Sequence, residues 1–222
     1  MKYLIKEIFP TIQGEGSLTG TPAIFLRFSG CNLWSGIQDL RYKGKGECAM
    51  WCDTDFANGD LMTMEEIKDT VQKCHKNWNI ERPLVVITGG EPFIHLTDKK
   101  CEFLYTMIPD YRLAVETNGT ISNKATSIMD SFGHITLSPK ALKSNIKSIE
   151  HIELRKCHDL KIVVPTPLPI EELVKNITFD NLFFQPMDVG NSGRNNAQLA
   201  LELAIKYNGK VSIQSHKVAG FR

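Results

Sequence analysis

Pro83-Leu84-Val85-Val86-Ile87-Thr88-Gly89-Gly90-Glu91-Pro92 is the stretch that decides the fold class. Its apolar run is continuous rather than alternating, the pattern of a strand covered on both faces, and it stops at two glycines and a proline. Strands of that kind belong to parallel sheets with helices packed on them. Upstream, Thr63-Met64-Glu65-Glu66 has the spacing of a capping box, with Thr63 as N-cap and Glu66 reaching back. Ile67, Val71 and Cys74 follow at helical spacing, so a helix is expected from about Met64 to Trp78. Downstream the order repeats: a helix over Thr97 to Met107, a strand over Arg112 to Glu116, and a loop at Thr117-Asn118-Gly119.

The same alternation extends in both directions. Ala23 to Phe28 reads as a second buried strand. Lys2 to Ile8 alternates loosely and gives way at Phe9-Pro10 to a polar loop through Gly16, where Gln13 and Glu15, taken alone, belong to a solvated turn. Strands are expected at His134 to Leu137, Leu160 to Val164, Asn181 to Phe184 and Lys210 to Gln214. Between them, Pro169 starts a helix at Ile170 to Val174, and Asn195 or Asn196 caps one that runs through Tyr207 to Asn208-Gly209. This α/β alternation calls for a parallel sheet with crossover helices, either a full or partial barrel or an open doubly wound sheet. Polar residues recur just after the strands, at Gly30-Cys31, Gly89-Gly90-Glu91, Glu116-Thr117-Asn118, Ser138-Pro139-Lys140 and Gln185-Pro186-Met187-Asp188. In such sheets the carboxyl ends of the strands form the functional face, so these loops should converge.

With 222 residues, 42% of them hydrophobic, the chain reads as one domain over residues 1–222. A net charge of +1 offers no field for a nucleic-acid backbone. No stretch is apolar over about 18 residues, so no membrane partner is expected and the location is cytoplasmic. In a reducing compartment clustered cysteines bind metal or react rather than form disulfides. Cys74, Cys101 and Cys157, which have no close cysteine partners in the sequence, read as free, buried thiols.

The other three of the six cysteines lie together, in Ser29 to Phe56, SGCNLWSGIQDLRYKGKGECAMWCDTDF. Cys31, Cys48 and Cys52 thus sit at the exit of the Ala23 to Phe28 strand. Three thiolates suit a zinc site lacking its fourth ligand, or a cubane iron–sulfur cluster with one iron left open for a small molecule. A third reading makes Cys31 a core residue and Cys48 with Cys52 a thiol pair.

Cys31-Asn32-Leu33-Trp34 and Trp51-Cys52-Asp53-Thr54-Asp55-Phe56, with Gln13-Gly14-Glu15-Gly16 and Gly89-Gly90-Glu91-Pro92, resemble the 7-carboxy-7-deazaguanine synthase family of the radical S-adenosylmethionine superfamily. The likeness continues through Ser138-Pro139-Lys140 and Gln185-Pro186-Met187-Asp188 to Gln214-Ser215-His216-Lys217, nearly the whole chain. The resemblance implies a modified, incomplete (β/α) barrel of the radical S-adenosylmethionine type. It implies a lyase that converts 6-carboxy-5,6,7,8-tetrahydropterin to 7-carboxy-7-deazaguanine with loss of ammonia, on the route to queuosine. Cys31, Cys48 and Cys52 would hold a 4Fe–4S cluster chelated by S-adenosylmethionine, whose reductive cleavage yields the radical that takes hydrogen from the pterin. Gly89, Gly90, Glu91, Glu116, Thr117, Asn118, Ser138, Pro139, Lys140, Gln185, Pro186, Met187 and Asp188 would surround S-adenosylmethionine. Ile12, Gln13, Gly14, Glu15, Arg27, Thr88, His216 and Lys217 would bind the pterin, and Thr54 would place Mg²⁺ against it. A homodimer and an electron donor such as flavodoxin or ferredoxin complete the expectation.

The cysteine spacing, Cys-x16-Cys-x3-Cys, departs from the superfamily's Cys-x3-Cys-x2-Cys. The insert Ser35 to Glu47, rich in glycine and charge, reads as an exposed excursion whose ends still meet, since loop closure grows slowly in cost with length. Two alternatives remain: another radical enzyme of the superfamily, such as a glycyl-radical activase, or a non-catalytic metal-binding protein on the same fold. Cys31→Ala, Cys48→Ala and Cys52→Ala are each expected to abolish cleavage of S-adenosylmethionine, measured as 5′-deoxyadenosine, whereas Cys74→Ala retains it. Cleavage surviving in the Cys48 variant would show that the ligands are misassigned.

Overall fold

A computed structural model of the chain describes residues 1–37, 46–189 and 194–221. The strands are β1 (Lys2–Ile12), β2 (Pro22–Phe28), β3 (Asp60–Thr63), β4 (Leu84–Gly89), β5 (Arg112–Thr117), β6 (Gly133–Leu137), β7 (Lys156–Val164), β8 (Thr178–Pro186) and β9 (Lys210–Val211). The helices are α1 (Met64–Cys74), α2 (Glu102–Met107), α3 (Lys124–Phe132), α4 (Ile170–Asn176), α5 (Arg194–Lys206) and α6 (Ser215–Ala219). All nine strands join one sheet in the order β3-β1-β2-β4-β5-β6-β7-β8-β9. From β2 to β9 every pairing is parallel, while β1 runs antiparallel to both β2 and β3. The sheet does not close, since β3 and β9 remain as its edges, so the partial barrel holds and the full barrel does not.

The β4 run behaves as its composition demands. Val85 and Ile87 enter the main core with Ile67 and Val71 of α1, while Leu84 and Val86 face a smaller cluster with Phe9, Phe25 and Ala114 on the other side. Neither face meets solvent, which is why no polar residue interrupts the strand. The helices settle on the outer face through short apolar stripes, as in α5, where Ala200 and Ala204 are buried. The strands therefore present their carboxyl ends together.

Several boundaries differ from the sequence reading. β1 does not stop at Ile8 but continues through Pro10 to Ile12, because beyond Ile5 it has no β3 partner and an edge strand tolerates a residue without an N–H. α1 ends at Cys74 rather than Trp78, and α2 starts at Glu102 rather than Thr97. β7 and β8 begin earlier than Leu160 and Asn181, and β9 covers only two residues. The short β3 and α6 carry too little periodic pattern to be read from the chain, whereas α3 has a buried stripe of Ala125, Ile128 and Met129 that the sequence reading passed over. All six cysteines are free, but Cys74, at the last position of α1, is half-buried rather than buried like Cys101 and Cys157. Of the insert Ser35 to Glu47, residues 38–45 lie outside the described residues. Among the described residues no helix is long and apolar enough to cross a membrane.

The Thr63–Glu66 capping box forms as read, and α3 has a cap of its own. Asn123 accepts from the N–H groups of Ala125 and Thr126, and its Nδ2 donates to the Leu96 carbonyl at 3.1 Å. Asn123→Ala should therefore cost about 1–2 kcal/mol, seen as a lowered midpoint in urea at unchanged slope. An unchanged midpoint would show that the cap contributes nothing.

Candidate functional site

The site begins where β2 leaves the sheet. Gly30 turns the chain at φ +90°, its N–H donating to the Phe56 carbonyl at 2.9 Å, and delivers Cys31 beyond the strand end. The Leu33 carbonyl then accepts from both Glu47 N (2.7 Å) and Cys48 N (3.0 Å). That one carbonyl joins the two ends of the insert, so Cys48 reaches Cys31 despite the sixteen intervening residues. Ala49 N donates to Ala141 O and Lys143 N to Glu47 O, which ties this segment to the chain just past Lys140. Cys31, Cys48 and Cys52 are all half-buried and line one cavity. Burial pushes the Cys31 thiol up to about 11, against the pull of the Leu33 and Trp34 N–H groups. Lys140 is close enough to feel all three thiols, and its Nζ donates to the carbonyl (2.8 Å) and hydroxyl (2.6 Å) of Ser138. Burial lowers its pKa.

The ends of β4 and β5 meet this arc. Glycine is required at 89 and 90 by the fold itself: a Cβ on Gly89 would enter the Phe28 backbone, and one on Gly90 would strike Gly30 and Cys31. Glu91 is fully buried, one layer behind the cavity wall. It accepts from Thr117 Oγ1 (2.9 Å to each oxygen), Asn118 N (2.7 Å) and Phe93 N (3.1 Å). Burial raises its carboxyl to about 7 in spite of these donors. Thr117 and Asn118 reach the cavity in its place, and Ser138 and Lys140 line it from the next loop while Pro139 is buried behind.

The floor is one hydrogen-bonded chain crossing the barrel. Thr88 Oγ1 donates to Glu116 Oε2 (2.9 Å), and Gln13 Nε2 to Glu116 Oε1 (3.1 Å). Gln13 Oε1 accepts from Glu15 N (3.1 Å). Glu15 in turn accepts from Gln214 Nε2 (2.8 Å), Gln185 Nε2 (3.1 Å) and Lys161 Nζ. Far from a solvated turn, Gln13 is 4% exposed and Glu15 is folded back into the barrel. Burial alone would raise the Glu15 carboxyl, but the Lys161 ammonium and the bonds from Lys161 and Gln214 outweigh it and hold the pKa at about 2. Lys161 is disfavoured by burial yet raised overall by Glu15 and Glu116.

Around the mouth, cations and anions are paired. Arg27 Nε binds Glu7 (2.9 Å), and Lys6 binds Asp55 (2.8 Å). Lys217 bridges Asp53 (2.6 Å) and Asp188 (2.7 Å), clasping α6 to the cysteine loop and to the end of β8. α6 is further held by Ser215, whose N and Oγ both donate to the Gly14 carbonyl. A Cβ on Gly14 would run into the His216 ring, whose buried Nδ1 has no partner among the described residues. Thr54 stands between Asp53 and Asp55.

The cavity measures about 480 Å³, ample for a small molecule beside a cofactor fragment. Of the residues singled out in the sequence, Ile12, Gly14, Glu91 and Pro139 stand behind its wall, and the others, including Pro186 and Met187, line it. The sequence reading passed over Lys161, Asp53 and Asp55. Lys161 had a signal: one lysine within the apolar run Leu160–Val164. Among the described residues no three His, Cys, Asp or Glu side chains are close enough to hold a single metal ion. A cubane cluster asks less proximity of its ligands, since each binds a different corner, and three free thiols on one cavity beside a lysine suit such an anionic group.

No family model matches the chain. It is 37% identical over 227 residues to the 7-carboxy-7-deazaguanine synthase of Caulobacter vibrioides, covering 99% of each chain. It is 34% identical over 229 residues to that of Bradyrhizobium diazoefficiens, covering 100% of each, and 32% identical to that of Nitratidesulfovibrio vulgaris, covering 99% of each. The crystal structure of QueE from Escherichia coli aligns with a TM-score of 0.69 at 25% identity, over 97% of this chain and 95% of that one.

The buried Glu15 implies a defined acid response. Its pKa of about 2 lies below the ordinary 4.5, so between those values the folded chain holds fewer protons at this group than the unfolded chain. The stabilisation is complete above pH 4.5 and declines as pH falls towards 2. Glu15→Gln should flatten that part of the stability–pH curve in urea titrations. A curve of unchanged slope would mean that Glu15 is not held ionised.

Proposed function

The chain belongs to the family of 7-carboxy-7-deazaguanine synthases, and we propose that it converts 6-carboxy-5,6,7,8-tetrahydropterin to 7-carboxy-7-deazaguanine with release of ammonia. It is then a carbon–nitrogen lyase acting on a small molecule, in queuosine or related deazapurine biosynthesis, with residues 1–222 as one radical S-adenosylmethionine domain. The observation that carries the reading is that one cavity joins Cys31, Cys48 and Cys52 to a polar floor of Gln13, Glu15 and Glu116.

The three cysteines would hold a 4Fe–4S cluster that, with S-adenosylmethionine, would supply one-electron chemistry. The chain's own work is to bind, orient and exclude water. Gly89 and Gly90 let the wall come close, and Glu91, from behind it, fixes the Thr117 hydroxyl and the Asn118 backbone that face the cofactor. Ser138, Lys140 and the Gln185 to Asp188 segment form the opposite side, where the Lys140 ammonium suits a carboxylate. Gln13, Glu15 and Thr88 address the pterin ring, and the Arg27 guanidinium addresses its carboxylate, exchanging Glu7 for the substrate. Thr54 would contribute one oxygen to Mg²⁺, which otherwise takes oxygens from substrate and water. His216 and Lys217 close the mouth from α6. Leu33, Trp34, Met50 and Phe56, all buried, keep water from the cysteine side. A cytoplasmic homodimer served by flavodoxin or ferredoxin completes the proposal.

The test is anaerobic reconstitution with iron and sulfide, followed by incubation with the carboxypterin, S-adenosylmethionine, Mg²⁺ and a reductant. The expected product is 7-carboxy-7-deazaguanine with one ammonia per turnover. Cleavage of S-adenosylmethionine without that product would reject the substrate in favour of another radical enzyme of the superfamily. Zinc without iron or sulfide would reject the radical chemistry altogether.

A further inference from the structure

On β7 the inward positions run Asp159, Lys161, Val163, and among them Lys161 places an ammonium in the middle of the barrel with only 6% exposure. A buried ion pair is a poor device for stability, since an apolar pair of like volume serves a fold as well or better. The contacts of its partner suggest another purpose. A carboxylate has about four lone-pair positions, and Glu15 commits three of them, to Lys161, Gln185 and Gln214. Glu116 commits two, to Gln13 and Thr88. Gln13 spends its oxygen on Glu15 N and one amide hydrogen on Glu116, so one amide hydrogen remains. Lys161 and the amides of Gln185 and Gln214 carry further N–H groups, so the floor offers donors as well as acceptors, and Glu15 keeps one acceptor position provided that it stays ionised.

We infer that Lys161 is a positioning residue that keeps Glu15 an ionised acceptor for an N–H group of the bound ring. In the reduced carboxypterin the amino and ring N–H groups are such donors. This rests on the reaction proposed above and deepens it. Other charged or titratable groups face the pair: Glu116 from β5, His216 from α6, Asp53 from the cysteine loop and Lys140 from the loop after β6. Glu116 and Asp53 are acids, His216 comes from the five-residue α6 and Lys140 from the loop after β6, which leaves Lys161 as the cation that is built into the sheet.

The test compares reconstituted wild type, Lys161→Met and the double variant Glu15→Gln/Lys161→Met, from about pH 6 to about pH 9. Wild type is expected to show a KM for the reduced carboxypterin that is flat with pH. Lys161→Met raises KM by about tenfold or more, far beyond its effect on kcat, and adds an acid limb in which KM climbs as pH falls. The double variant keeps the high KM but lacks the limb, which assigns the limb to the Glu15 carboxyl; a merely structural lysine would not produce this difference. If Lys161→Met does not fold, Lys161→Gln is read in the same way. Calorimetric binding of the reduced carboxypterin, with S-adenosylmethionine and without reductant, separates this inference from the reaction itself. Binding that weakens tenfold in the variant upholds the inference even if wild type forms no deazaguanine. A KM or Kd within twofold of wild type without an acid limb, or no binding by wild type, overturns it.

Discussion

Everything at the site depends on a backbone contact that leaves no room for a side chain. β2 and β4 run side by side, with Phe28 opposite Gly89, and past that pair Gly90 lies directly against Gly30 and Cys31. Glu91 N then donates to the Gly30 carbonyl at 3.0 Å. A Cβ at either glycine would force the two strand ends apart and move the first cysteine away from Thr117 and Asn118. The Gly-Gly pair thus serves the sheet before it serves any ligand. Its effect on the cavity follows from the registry it enforces.

A second constraint is electrostatic. Four cations at the cavity arrive with carboxylate partners, Lys161 with Glu15, Arg27 with Glu7, Lys6 with Asp55, and Lys217 with Asp53 and Asp188, whereas Lys140 donates to Ser138. An anionic ligand at any of those four must therefore exchange with a carboxylate, which favours a ligand able to satisfy the same guanidinium or ammonium geometry. The deep pair and the mouth pairs differ in kind. Lys161 and Glu15 are shielded from water and hold their charge state firmly, whereas the Lys217 clasp is more than a third exposed and is screened by solvent and salt. Rigidity in the floor and exchange at the mouth suit a site that must recognise a ring and still admit it.

How far the chain could be read depended on how local each signal was. The continuous apolar run of β4 and the capping box of α1 carry their own pattern, and both formed where expected. α3 was passed over although Ala125, Ile128 and Met129 stand at helical spacing and Asn123 with Thr126 is a cap pattern that marks its start. β7 and β8 were read too short because Lys156 to Asp159 and Thr178 to Asp180 are mixed in polarity, and their pairing is settled by a neighbouring strand. Gln13 and Glu15, taken alone, read as a turn in water, and only Lys161, distant by nearly 150 residues, makes a buried carboxylate tenable.

The sequence by itself determined the parallel α/β class, the carboxyl-end loops that supply the site, and the identity of the three clustered cysteines. These follow from composition and spacing within short windows, where physics acts on neighbours along the chain. Tertiary structure alone decided that the barrel stays open, that one Leu33 carbonyl brings Cys48 to Cys31, and that Glu91 works from behind the wall. It also decided that Lys161 faces Glu15. Each of these is a contact between residues far apart in the chain, and its energy depends on burial and partners that exist only once the sheet has assembled.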